Sequence, residues 1–441
     1  MRKGVAIVTG VLAIAAAMFV GGALRPGAMV EQTSSTSTPV ALPADASSGV
    51  GGLVSTILSN PQGSKRTTES RPANQAALAF GYLQRARSEA APAFYTAAEK
   101  ALASSFEAQA RNNLGATLGT AILAGSRHDF KGQLRWGRRA LEINPYNSEA
   151  LGIVGDAYLE LGSTSEALDA YQKMIDLRPD LSSFGRISHA AQLSGNTKVA
   201  LAAMRRALGF AGTSNDLRAW AHWQLGELYI GAHRLDRAEQ HLATALELAP
   251  HLGAARESTA HVAAARGRIK KAISIMSSLV EDFPLPGNYS FLGELYLLDA
   301  QKGAAQAAFD RADRRLDAYA EHGVRPDVDF ITFWADRRIH LRRALRTARL
   351  LYSQRKSAAV SDSLAWALYA KGRFSEAQRH AREALRRSVG DAGYHYHAGM
   401  IARSLGQDAA ARALLREALA LDPSWSIWES HRARTILARS G

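Results

Sequence analysis

A small residue returns about every 34 positions along most of this 441-residue chain. Ala167, Ala200, Ala238, Ala272, Ala305, Ala344, Ala377 and Ala411 follow one another at separations of 33, 38, 34, 33, 39, 33 and 34. The pattern around each is helical. In LGIVGDAYLELGSTSEALDAYQKMIDLRP, residues 151–179, Leu151, Val154, Gly155 and Tyr158 recur three or four apart and make one helix face. Ala167, Tyr171 and Met174 make a second, on a helix that ends before Pro179. One such hairpin cannot hide its apolar face alone, so its copies must stack. A stack grows by adding units, so this length calls for no division into globular domains.

The first helices repeat a motif of their own: LGDAY at Gly155 and Tyr158, LGELY at Gly226 and Tyr229 and again at Gly293 and Tyr296, and AGMIA at Gly399. Prolines close several units, at Pro145, Pro179, Pro250, Pro284 and Pro423. Over roughly residues 111–424 these units resemble tetratricopeptide repeats, most specifically those starting near Ser148, Ala219 and Ala392. The resemblance implies an all-α, right-handed superhelical solenoid of antiparallel helix pairs. Gly155 and Ala167 would admit close helix approach, and Tyr158 and Tyr171 would fill the space between. No unit has the Trp that the family usually carries three residues before its LG, and the units near 325–357 and 358–391 lack a closing proline. Residues 74–424 hold about nine to ten units, those near 74–146 and 325–357 degenerate, and 425–441 form a C-terminal capping helix. AFYTAAEKAL, INPYNSEALGIVGDA, SLAWALYAKGR and YHYHAGMIARSLG are also similar to membrane-anchored repeat proteins of high-GC bacteria.

Residues 1–24 differ in character. Arg2 and Lys3 precede an uncharged, mostly apolar run from Gly4 to Leu24, about the length that spans a bilayer as a helix. The segment reads as a signal anchor or a signal peptide. Gly21 and Ala23 suit a signal peptidase, whereas the length of the run and Arg25 suit an uncleaved anchor. The positive flank stays in the cytoplasm, so the repeats are expected outside it, membrane-tethered by a single pass or secreted after cleavage. Residues 25–73, rich in Ser, Thr, Pro and Gly, lack the apolar surface that ordering needs and read as a linker.

The chain has no cysteine, which excludes disulfides, a thiol nucleophile and thiolate metal sites. Its 54 Lys+Arg against 40 Asp+Glu give a formal charge of +14, and 43 of the 54 are Arg. That balance favours anionic partners, or it reflects the Arg- and Ala-rich composition of a GC-rich genome. His395 and His397 lie two apart on a helix and point to nearly opposite sides, unlike the i, i+4 pair that shares a metal. Gly49, Gly51 and Gly52 follow no strand, so no phosphate loop is present, and no G-x-S-x-G elbow occurs. No catalytic residue, cofactor or metal is expected.

Two stretches stand above the repeat pattern. RRIHLRRALRTARLLYSQRK, residues 337–356, holds eight Arg or Lys and no acid. Ala344, Ala348 and Leu351 form its packing face and leave Arg342, Arg346 and Arg349 as a second stripe. By resemblance that stripe is convex, either a solvated face or a contact for anionic lipid or envelope polymer. In RAWAHWQLGELYIGAH the packing stripe is His222, Leu225, Gly226 and Tyr229, so Trp220, Trp223 and Glu227 face elsewhere. By resemblance they point into the concave groove. The matching positions in other units are Arg186 and His189, Glu257 and His261, Glu294, Trp366 and Tyr369, and Tyr396 and Met400. The aromatics either anchor a ligand or pack between neighbouring first helices. The resemblance thus implies an extracytoplasmic scaffold that binds a protein or peptide in its groove. Binding of an anionic surface is the alternative, and nucleic acid is not an expected partner.

Overall fold

The computed structural model describes residues 72–388 and 390–439. The anchor and nearly all of the linker lie outside the described residues. Pro72 and Ala73, assigned to the linker by composition, already open the first helix. Among the described residues are twenty-one α-helices and no strand. None of these helices is long and apolar enough to cross a membrane.

Twenty helices form ten consecutive hairpins. They are α1 (Pro72–Ser88) with α2 (Ala93–Ala108), α3 (Leu114–Ser126) with α4 (Phe130–Ile143), α5 (Ser148–Glu160) with α6 (Thr164–Leu177), and α7 (Leu181–Leu193) with α8 (Thr197–Gly209). Next come α9 (Asn215–Gly231) with α10 (Leu235–Leu248), α11 (Gly253–Ala265) with α12 (Ile269–Asp282), and α13 (Pro286–Leu298) with α14 (Lys302–Glu321). Then α15 (Val328–Arg337) pairs with α16 (Leu341–Gln354), α17 (Ala358–Ala370) with α18 (Phe374–Arg387), and α19 (Ala392–Ser404) with α20 (Asp408–Leu421); α21 (Ile427–Arg439) follows alone.

Local chemistry explains the hairpins. Several first helices start on a side chain that takes an orphan amide: Asn147 accepts from Ala150 N at 2.7 Å and Asp391 from Tyr394 N at 3.1 Å. Every turn between paired helices contains a residue in the left-handed region, such as Gly162 and Gly372, with His233, Ala300 and Arg338 in the same role elsewhere. The following amide then donates back across the helix end, as Ser163 N does to Tyr158 O and Arg373 N to Leu368 O, both at 2.9 Å. Within a pair, the ring of Tyr171 lies where a side chain at Gly155 would stand, and Leu242 does the same at Gly226. The close approach expected from the motif is therefore present.

The two irregular separations have structural causes. The 17-residue α9 lengthens the step from Ala200 to Ala238, and the 20-residue α14 lengthens the step from Ala305 to Ala344. The extra turns of α14 matter for closure. Arg315 in α14 reaches the carbonyl of Ala90, and just beyond its end Arg127 Nε donates to His322 O at 2.9 Å. Arg325 N donates to Arg127 O at 3.0 Å. Phe80, Leu102 and Ile122 share one apolar cluster with Phe309, Leu316, Phe330 and Trp334. The coil thus turns back on itself, and its seventh to ninth hairpins pack on its first three.

Candidate functional site: the inner face of the first helices

First helices pack against neighbours on more than one side. α5 buries eight residues and its partner α6 buries four. Several consecutive first helices also touch one another. This sandwiching decides the fate of the side chains expected to line a groove.

At the N-terminal end of that face the side chains expected to line a groove are buried among the helices. Arg186, only 1 % exposed, forks onto Asp156 with Nε to Oδ1 at 2.9 Å and Nη2 to Oδ2 at 3.0 Å. Tyr171 donates to the same Asp156 Oδ1 at 2.9 Å. Burial pushes the Asp156 carboxyl up against the pull of the guanidinium. His189 is held neutral because burial lowers it to about 4. Trp223 is fully buried, and its Nε1 donates to Ser258 Oγ at 3.0 Å. An indole that spans from α9 to α11 has no face left for a ligand, so packing between first helices wins here. Trp220 is half-buried beside the same cluster.

Below Trp223 lies an acidic pair. The Ser258 hydroxyl sits 2.5 Å from Glu227 Oε1. Burial pushes Glu227 up to about 7 and Glu257 up to about 8, with the Glu227 charge adding to the second shift. His261 Nε2 stands 4.0 Å from Glu257 Oε1, but burial keeps the imidazole neutral, so it offers no compensating cation. It stacks on Phe291 at 3.8 Å between centroids, and burial lowers it to about 4.

At the C-terminal end the inner face is occupied. Arg337 Nη2 donates to Glu294 Oε1 at 3.1 Å, yet burial still pushes Glu294 up to about 8. Trp366 Nε1 donates to Asp336 Oδ1 at 2.7 Å, and its ring lies between Tyr369 and His397 at 4.5 and 4.0 Å. Tyr396 is fully buried between Trp366 and Trp425, and Met400 joins the same cluster. The cover over these residues is α21. Its Ala433 packs in the cluster of Trp366 and Tyr396, and Ile427 packs in that of Ala260, Phe291 and Leu292. Glu429 accepts from His397 Nε2 at 3.2 Å and from Trp425 Nε1 at 2.9 Å, while Asp362 Oδ2 is 2.7 Å from His397 Nδ1. The two carboxylates hold the His397 imidazole well above its usual range. The segment expected to cap the last unit touches α20 and α19 and also reaches back to α11 and α13.

Sequence reasoning missed this covering. The sequence sets His397 only beside His395, whose Nδ1 lies 2.8 Å from Asp391 O, and no spacing along the chain links His397 to Glu429. Among the described residues no group of three His, Asp or Glu is arranged to hold a metal ion. On the second helix of the eighth hairpin, Arg342, Arg346 and Arg349 are exposed on α16, whose Ala344 and Ala348 are buried as the periodicity predicts. None of the three arginines forms an ion pair among the described residues, and Leu350 beside them is 56 % exposed.

Residues 135–182, 217–285 and 363–424 match the sequence profile of the tetratricopeptide repeat family. No curated protein matches the chain in sequence. Among solved structures the chain is similar to a thermophilic tetratricopeptide repeat protein of Thermus thermophilus, at 20 % identity over 43 % of this chain and 98 % of that one, with a TM-score of 0.39. It is also similar to a tetratricopeptide repeat protein from Parabacteroides merdae, at 15 % identity over 65 % and 98 % of the two chains, with a TM-score of 0.35. A third similarity is to MamA, at 18 % identity over 46 % and 96 %, with a TM-score of 0.26.

Proposed function

From a helical solenoid that carries tetratricopeptide repeats, we propose a non-catalytic scaffold that holds a protein or peptide segment against the inner face of its first helices. The observation that supports this reading is the inner face of α13 to α19, whose aromatic, carboxylate and imidazole groups accommodate a helix, at present the chain's own α21. Large aromatics in well-packed, desolvated pockets are the usual anchors of such contacts. The scaffold works outside the cytoplasm, tethered by the apolar run that follows Arg2 and Lys3.

The test is a photoreactive residue at Tyr369, on the inner face, and another at Arg349, on the outer, in intact cells. A discrete protein adduct from Tyr369 alone is expected; none from Tyr369, or the same adduct from both, rejects the inner face. Protease added to spheroplasts should digest the repeats, and protection of the repeats rejects the extracytoplasmic site.

A second reading is favoured by the bare stripe of Arg342, Arg346 and Arg349 with exposed Leu350 at its side. It has the form of a contact for anionic lipid or envelope polymer. Changing the three arginines to Gln should weaken binding to vesicles containing phosphatidylglycerol and flatten its salt dependence. Equal binding by variant and parent rejects that contact.

A further inference from the structure

Resting on the inner-face reading above, we propose that α21 is the resident occupant of the site. A partner gains entry by presenting a segment of the same chemistry that replaces it: an aromatic two residues before a helix, a branched aliphatic at the first helical position, a carboxylate two residues further and a small residue four beyond that. In this chain those positions are Trp425, Ile427, Glu429 and Ala433.

Three observations carry the inference. A helix that only capped the last hairpin would need to cover α19 and α20, whereas α21 also contacts α11 and α13, well over a hundred residues earlier. Its contacts are those of a docked segment: Ile427 and Ala433 enter separate apolar clusters and Glu429 meets His397 between them. The fit is also imperfect. The fully buried Tyr396 hydroxyl has no hydrogen-bond partner beneath α21. Glu429 also adds its charge to that of the Asp336 carboxyl, which lies close to it on α15. A buried unpaired hydroxyl and like charges reduce the gain from docking, so an external helix that supplies an acceptor to Tyr396 competes on favourable terms. The tether works the other way. It gives α21 an effective concentration on the order of millimolar, so replacement needs a strong partner or a loosened α21.

The test uses the full chain in detergent and a fluorescent peptide of residues 422–439. In the double variant Ile427→Asp, Ala433→Asp the covering helix is undocked. This variant should bind the peptide at least tenfold more tightly than the parent does, and the peptide carrying Ile427→Asp should not bind. Equal binding by parent and variant, or no binding by a variant whose helical circular dichroism matches the parent, overturns the inference. Hydrogen exchange on the parent gives a second reading that does not depend on the variant's folding: amides of α21 should exchange at least tenfold faster than those of α19, and equal protection overturns it. Failure here is separable from failure of the inner-face reading. If Tyr369 adducts form in cells at the same yield in parent and variant, the inner face still binds a partner and α21 is not its competitor.

Discussion

His397 Nε2 stands 3.2 Å from Glu429 Oε1, joining α19 to a helix that lies across the inner face, while Asp362 holds the other ring nitrogen from α17 at 2.7 Å. An imidazolium between two carboxylates locks three helices through one side chain. Asp336 and Asp391 also lie close enough for their carboxyls to feel the His397 charge.

Removing Glu429 breaks that lock at one end only. A hydrogen bond to a charged group of this kind contributes about 1.5–3 kcal/mol. Glu429→Ala should therefore speed hydrogen exchange in α21 by roughly 10- to 150-fold, at 1.36 kcal/mol per factor of ten, and leave α5 unchanged. Exchange in α21 that matches the parent would show that the ion pair does not hold the helix.

Trp223 belongs to the core. Trp223→Ala removes a fully buried indole and leaves Ser258 without its donor, so a cost of about 3–5 kcal/mol and a clear fall in melting temperature are expected. Trp220→Ala, at a half-buried position, should cost markedly less. Similar melting of the parent and Trp223→Ala contradicts the packing.

Stability should fall between pH 6.5 and 8.5. The unfolded chain releases carboxyl protons near the ordinary value of 4.5. Folded Glu227 holds its proton to about 7, and Glu257 and Glu294 to about 8. A raised carboxyl value means stability is lost as pH climbs from the unfolded value to the folded one. His189 and His261, lowered to about 4, act in the opposite sense but only below about 6.5, so they do not offset the alkaline loss. Melting curves across this range check the direction. Glu257→Gln should recover on the order of 2 kcal/mol at pH 8.5 and less at pH 6.5. A melting temperature that rises over the range refutes the assignment.

Two glycines in helices should respond with opposite sign. A Cβ at Gly226 would lie 2.8 Å from Leu242, so Gly226→Ala should destabilise by about 1–3 kcal/mol. Gly303 in α14 has nothing within 4 Å, and Gly303→Ala should stabilise by about 0.5 kcal/mol. Chemical denaturation of both variants decides, and equal effects would mean that the close approach of α9 and α10 does not constrain Gly226.

Much of the fold was legible in the amino-acid order because a repeat is a neighbour-to-neighbour structure. The spacing of Gly155, Ala167 and Tyr171 specifies one helix pair, Asn147 starts it, Gly162 turns it, and the period stacks the copies. The resemblance to tetratricopeptide repeats put Trp223, Arg186 and Tyr396 on the inward side and Arg342, Arg346 and Arg349 on the outward one. Burial on the inward side was not readable, because it depends on how closely the next first helix approaches; Trp223 is closed off by Ser258, 35 positions away. The return of Arg325 to Arg127 and the seating of Ile427 near Phe291 were equally hidden. Small rotations accumulate from hairpin to hairpin, and only their sum over the whole coil decides which distant surfaces meet.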